Sequence, residues 1–365
     1  MMKKRIALPL SLTAMSLAAM GFSTSALADH SHGHTLEKKI EKLNKRIEQL
    51  EGNKSASKFK NTKFTLYGTV RPTLQYKAKN SKGDKDWDLG DALSHMGVSA
   101  ETDLFDGWTA IAKGEWSIDL SNNGDFGKAR QVYAGVATPF GTFAFGKQRP
   151  AEYTLIAEYV DIFNHASSPF AFDSNGPFFV NNFATYKLVA NDFTIMAAAQ
   201  VDGDKDTHLI NTGVGYDTDN LHIGVAYLNQ NDSTNANGTE IMGDKKTMAA
   251  TVAYTFENGL YLAASYADID YEFDVKGYDR SGGTLDTALA YPLNDEYKIK
   301  LGYFDFDDGK KDPSSQNYTG YNTTLEWNPA NNVRLHLEYL TRDYDNLGDD
   351  KILALGVRYD FKLTW

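Results

Sequence analysis

From Lys63 onward, apolar and polar side chains alternate with a period of two. In the last eleven residues, Leu355, Val357, Tyr359, Phe361, Leu363 and Trp365 fall on one face, and Gly356, Arg358, Asp360, Lys362 and Thr364 on the other. Leu221, Ile223, Val225 and Tyr227 oppose His222, Gly224 and Ala226. Tyr297, Ile299, Leu301 and Tyr303 oppose Lys298, Lys300 and Gly302, and Val333, Leu335, Leu337 and Tyr339 oppose Arg334, His336 and Glu338. This is the periodicity of strands with one apolar and one polar face. Sixteen segments of roughly ten residues follow one another in this way. Their connections alternate in length. Tight turns of Asn, Asp, Gly and Pro, such as "PFG", "ENG" and "PANN", exchange with longer polar stretches at Ala78–Asp88, Asn231–Asp244, Glu272–Arg280 and Asp307–Gln316.

The pattern predicts an all-β fold, a 16-stranded antiparallel transmembrane barrel spanning 63–365. A soluble sandwich also alternates. It leaves unexplained the aromatic ends of the apolar stripes at Tyr303, Tyr339 and Tyr359, which suit membrane interfaces. In a closed barrel the apolar face meets lipid, the polar face meets a watery lumen, and no edge strand remains.

Ahead of the barrel the period changes. Residues 1–28 read as a secretory signal peptide: Lys3, Lys4 and Arg5, an apolar run from Ile6 to Met20, and the small-residue site Ala26-Leu27-Ala28. Residues 29–54 carry Leu36, Ile40, Leu43, Ile47 and Leu50 at spacings of 4, 3, 4 and 3. That is a coiled-coil seam with Ile at a and Leu at d, a choice that favours two strands. It is too short to be stable alone. Residues 55–62 form a polar linker. An even strand number puts both barrel ends, and so the N-terminal helix, on the periplasmic side. His30, His32 and His34 could bind a metal, although three histidines in such a leader are more often just a polar tail.

Composition narrows the function. The chain has 365 residues, 21 Tyr, 20 Phe, no Cys and a net charge of −11. Removing the signal's three cations makes the mature charge −14. An acidic exported chain is a poor partner for nucleic acid. No cofactor motif and no clustered nucleophile, His and carboxylate are evident, so catalysis is not expected.

The stretches "LYGTV" near the start of the first strand, "RQVYAGVATPFGTFAFGKQ" across the fourth and fifth, "FATYKL" after a long loop, and the alternating aromatic terminus occur in this order. Together they resemble the trimeric general diffusion porins of Gram-negative bacteria over the whole barrel. The resemblance implies a homotrimer in the outer membrane, contacts with lipid and lipopolysaccharide, and passive diffusion of ions and small hydrophilic solutes. It also implies a signal to the barrel assembly machinery in the last strand, on Tyr359, Phe361 and Trp365; Trp365 stands where the family usually has Phe.

One connection, between Lys147 and Asn182, is too long and apolar for a surface loop. The resemblance implies that it folds into the barrel and narrows the pore. Tyr153, Tyr159, Phe163, Phe170 and Phe172 are its expected anchors. "EYVDIF" places Asp161 at the constriction with Glu158 beside it; Glu152 and Asp173 are further loop acids, and His165 stands where a second acid is common. On the facing wall the resemblance points to Arg130, with Lys147 and His95 where arginines are usual. Lys147 requires a local break in alternation to reach the lumen. Parity adds Arg71, Lys113 and Glu115. With a wall arginine replaced by His, these assignments predict modest cation selectivity. The alternatives are a sugar- or anion-specific porin, for which the arginines look scattered, and a structural tether acting through the coiled coil.

Overall fold

The computed structural model describes residues 61–79, 85–121, 124–201, 208–236 and 239–365. The signal peptide, the coiled-coil seam and the histidine leader lie outside these residues.

Sixteen strands form one closed antiparallel barrel. β1 comprises Thr62–Val70 and Pro72–Lys79, interrupted at Arg71, and β2 comprises Lys85–Asp91 and His95–Phe105. β3 is Trp108–Ile118, β4 Phe126–Thr138, β5 Gly141–Gln148, β6 Val180–Ala190, β7 Phe193–Gln200 and β8 Leu209–Asp217. β9 is Leu221–Ala236, β10 Thr239–Thr255, β11 Tyr261–Phe273 and β12 Arg280–Pro292. β13 is Tyr297–Asp307, β14 Tyr318–Ala330, β15 Val333–Tyr344 and β16 Asp350–Thr364. Each strand pairs with its neighbours in sequence, and β16 returns to β1. Trp365 donates its amide to the Phe64 carbonyl at 3.1 Å, Phe64 donates in return at 3.0 Å, and the two rings stack at 6.1 Å. The seam is thereby sealed at its end.

The alternation is realised as two faces. Along β16, Leu353, Leu355, Val357, Tyr359 and Leu363 are exposed outward, while Ile352 and Ala354 are buried. No helix among the described residues is long and apolar enough to cross a membrane. A closed barrel with an apolar outer face leaves no backbone edge unpaired, which is what a lipid-facing wall of strands requires. Leu355, 53 % exposed near the middle of β16, belongs to the lipid-facing band. Leu355→Arg is expected to destabilise the inserted barrel by about 2–4 kcal/mol, the penalty for a cation at the bilayer midplane. Urea unfolding from vesicles measures it, and an unchanged midpoint contradicts the placement.

Two stretches expected as long loops are strand instead. β9 and β10 stay paired as far as Ala236↔Thr239, through Asn231↔Asp244. β1 and β2 stay paired to Ala78↔Lys85. β10 has 17 residues, more than a bilayer requires, so its polar end projects as a hairpin beyond the membrane. Polar composition marks solvent there, not loss of pairing.

Candidate pore constriction

Between β5 and β6 the chain leaves the barrel wall and enters the lumen. This segment, L3, contains α1 (Ala151–Leu155), a 3-10 turn (Ala157–Tyr159) and α2 (Ala171–Asn175). Its aromatics hold it against the wall. Tyr153, Phe170 and Phe172 are buried with Phe304, Phe306 and Tyr318 of β13 and β14, and Tyr159 and Phe163 pack against the same cluster. The expected anchors thus act together.

Buried carboxylates receive the L3 backbone. Asp286 of β12 accepts the amides of Ala171 at 2.6 Å and Phe172 at 3.2 Å. Glu338 of β15 accepts the amides of Asn164 at 3.2 Å and His165 at 3.3 Å, and the Asn322 side-chain amide at 2.7 Å. An irregular segment must place its amides somewhere, and inside a barrel only the wall offers acceptors. Lys300 of β13, ion-paired with Glu326, donates to the Ile162 carbonyl at 2.6 Å. His165 is buried and joined to Gln75 at 2.7 Å, so it anchors L3 to β1.

L3 and the opposite wall enclose a polar cavity of about 780 Å³. On the wall, Glu115 sits between cations: Arg130 Nε donates at 2.8 Å, Lys113 Nζ lies at 3.6 Å, and the Tyr67 hydroxyl donates at 2.8 Å. On the loop, Asp161 lines the cavity and accepts the Tyr153 hydroxyl at 2.9 Å. Arg149 stacks on Tyr153 at 3.9 Å, and both Arg130 and Arg149 lie over the Phe179 ring. Loop and wall are joined by these ring contacts as well as by charge.

Of the candidates named from sequence, Arg71, His95, Lys113, Glu115, Arg130 and Asp161 line this one cavity. Glu158 is exposed on L3 but is not among the lining residues. Lys147 is not among them either. The break in alternation that it needed does occur, between Gly146 and Gln148, with Gly146 at φ +135°. It comes one residue too late: Lys147 pairs with Val132, whose side chain is exposed among the outer-face residues, and the cation delivered to the cavity is Arg149. Five lining cations were not named as site residues: Arg149, Lys298, Lys300, Arg334 and Arg358. Four of them stand on the polar faces of β13, β15 and β16, where alternation had already placed them. What the sequence lacked was their height along the pore. The lining side chains thus include eight Lys or Arg and two carboxylates, Glu115 and Asp161.

A model of the Gram-negative porin family matches residues 13–347. Among solved structures, the chain is similar to an anion-selective porin from Comamonas acidovorans, at 19% identity and a TM-score of 0.68, covering 82% of this chain and 100% of that one. It is also similar to OmpT, an outer membrane protein of Vibrio cholerae, in its trimer form, at 19% identity and a TM-score of 0.66, covering 82% and 99%. OmpF of Salmonella typhi, in complex with daunomycin, matches at 16% identity and a TM-score of 0.62, covering 82% and 98%. At these identities the likeness to each structure concerns the fold. No curated relative matches. A family match across most of the chain, on a closed sixteen-stranded barrel, places this protein in the Gram-negative porin family, the channel proteins of the bacterial outer membrane.

Proposed function

We propose that the barrel is a diffusion pore for ions and small hydrophilic solutes whose constriction favours anions. The observation that carries this is the lining itself, eight Lys or Arg against two carboxylates, Glu115 and Asp161. Counting also the carboxylates paired with lining cations, Glu326 with Lys300 and Arg334 and Asp360 with Arg358, cations still outnumber acids by eight to four. The expectation of modest cation selectivity rested on Asp161 and Glu158 facing a wall weakened at His95 and Lys147. Glu158 and Lys147 do not line the cavity, while Arg149, Arg334, Arg358, Lys298 and Lys300 do. The anion preference therefore replaces it. The overall acidity of the chain does not decide the matter, because selectivity is set by the charges at the narrow part of the path.

Asp161 facing this basic wall sets up a field across the lumen. Polar solutes can align in it while apolar ones must displace ordered water. Purified protein in planar bilayers is expected to give discrete conductance steps; their absence contradicts an open pore. Asp161→Asn removes a lining carboxylate and is expected to raise the anion-to-cation permeability ratio roughly fivefold, since one charge about 8 Å away in water shifts each ion by about 0.5 kcal/mol, with opposite sign for anion and cation. A fall in that ratio means Asp161 does not face the permeating ions.

The native unit is proposed to be a homotrimer in contact with lipid and lipopolysaccharide, with Tyr359, Phe361 and Trp365 presented to the barrel assembly machinery. The family and the trimer form of the Vibrio cholerae protein support the trimer. The seam from Leu36 to Leu50 would then bundle in the periplasm, its chains held at roughly millimolar effective concentration by the barrels. Deleting Asp29–Lys54 is expected to leave both the trimer and its conductance intact in native mass and bilayer measurements. Monomers would mean that the leader sets the assembly.

A further inference from the structure

Three arginines share one row of the barrel wall. Arg334 stands directly opposite Arg358 in the β15–β16 ladder. β16 also pairs with β1 on both sides of Arg71, at Tyr359↔Val70 and Gly356↔Thr73. That single register sets Arg358 opposite Arg71. Directly opposed residues bring their Cβ atoms to about 5 Å, and like charges placed so are destabilising. All three side chains line the same cavity.

The neighbouring carboxylates do not match this concentration of charge. Asp360 accepts Arg358 Nε through both oxygens, each at 2.9 Å. Glu326 lies 3.6 Å from Arg334 and is shared with Lys300. Arg71 donates through Nε to the Thr69 hydroxyl at 3.0 Å. Arg334 Nη1 donates to Asn164 Oδ1 at 3.1 Å, and its Nε is buried without a partner among the described residues. The side-chain hydrogen bonds of Arg71 and Arg358 to described residues run through Nε, which leaves their terminal nitrogens available to a solute.

Resting on the anion-preferring reading of the pore, we propose that Arg71, Arg334 and Arg358 form a binding subsite for a compact divalent oxyanion with the charge and shape of sulfate or hydrogen phosphate. Planar guanidinium forks match the paired oxygens of such an ion, whereas chloride offers one spherical acceptor. A divalent ion also offsets the mutual repulsion of the row more fully than a monovalent one. The ion therefore pauses in the channel and slows chloride behind it.

The test is the chloride current through single channels of the full protein in about 0.1 M KCl, where screening is moderate. Sodium sulfate or sodium hydrogen phosphate is added, with sodium gluconate at equal ionic strength as the control. Saturable block by either oxyanion and none by gluconate is expected; block by only one of them names the preferred ion. Arg358→Gln is expected to raise the half-blocking concentration about tenfold, the effect of losing one charge-assisted hydrogen bond. Arg71→Lys keeps the charge, loses the fork, and should weaken the block by a smaller factor. Lys246→Gln, at a residue paired with Glu272 and not among those lining the cavity, should match the parent. Absence of block in a channel with an anion-selective reversal potential overturns the subsite and leaves the pore reading standing. Block that is unchanged in both arginine variants overturns its assignment to this row. A cation-selective reversal potential overturns the anion-preferring reading itself.

Discussion

Asp286→Ala is expected to release the middle of L3 and give a channel with larger, noisier conductance. Asp286 is 1% exposed and holds the amides of Ala171 and Phe172, themselves buried. Alanine leaves two buried donors without an acceptor, at about 1–3 kcal/mol each. Removing the carboxylate also removes its own burial penalty, so the net loss is about 3 kcal/mol. The aromatic cluster around Phe170, Phe172 and Phe304 still attracts the loop, so the barrel persists while L3 samples positions away from the wall. Asp286→Asn keeps one acceptor oxygen and should fall between the two. Thermal unfolding and single-channel recording measure the two effects. A conductance and noise spectrum equal to the parent's would show that the aromatics alone position the loop.

The second large effect is on selectivity. Neutralising the row as Arg71→Gln, Arg334→Gln and Arg358→Gln lowers the formal charge of the lining residues from +6, eight cations less two carboxylates, to +3. At about 8 Å in water each charge shifts a monovalent ion's energy by ~0.5 kcal/mol. Three together give about 1.5 kcal/mol, roughly a tenfold loss in anion occupancy. Salt screens this over about 10 Å at 0.1 M, so the loss should shrink as KCl is raised. Relief of the three opposed cations is offset by the loss of the Arg358–Asp360 and Arg334–Glu326 pairs, so the net change in stability should be small. A permeability ratio that does not change places the selectivity elsewhere in the pore.

The barrel was legible because a β-strand returns to the same face every second residue. β16 alone sorts Leu355, Val357 and Tyr359 from Gly356, Arg358 and Asp360. The lipid face tolerates little deviation from that rule, so the signal stays clean. L3 was legible as no ordinary surface loop, because the stretch between Lys147 and Asn182 is too long and apolar for one; its inward course was implied by the resemblance. The constriction was read less well, for two physical reasons. Alternation tells which face a charge occupies but not its height, so Arg334 and Arg358 could not be joined to Arg71 without the register. Where alternation fails, parity fails with it. The irregularity at Gly146 lies too close to Lys147 for counting to separate it from Arg149. The same limit made the arginines look scattered: Arg71, Arg334 and Arg358 are far apart in sequence yet occupy one row. Polar hairpins such as Asn231–Asp244 looked like loops because both faces meet water there, which erases the contrast on which the period depends.

The sign of the reversal potential across a KCl gradient, recorded on the purified full-length protein, tests the central claim most directly. A pore whose constriction carries eight Lys or Arg and two carboxylates should give a potential of anion-selective sign, and the preference should weaken at high salt. A cation-selective sign would contradict the claim, because the loop acids, with Asp161 foremost, would then outweigh the basic wall.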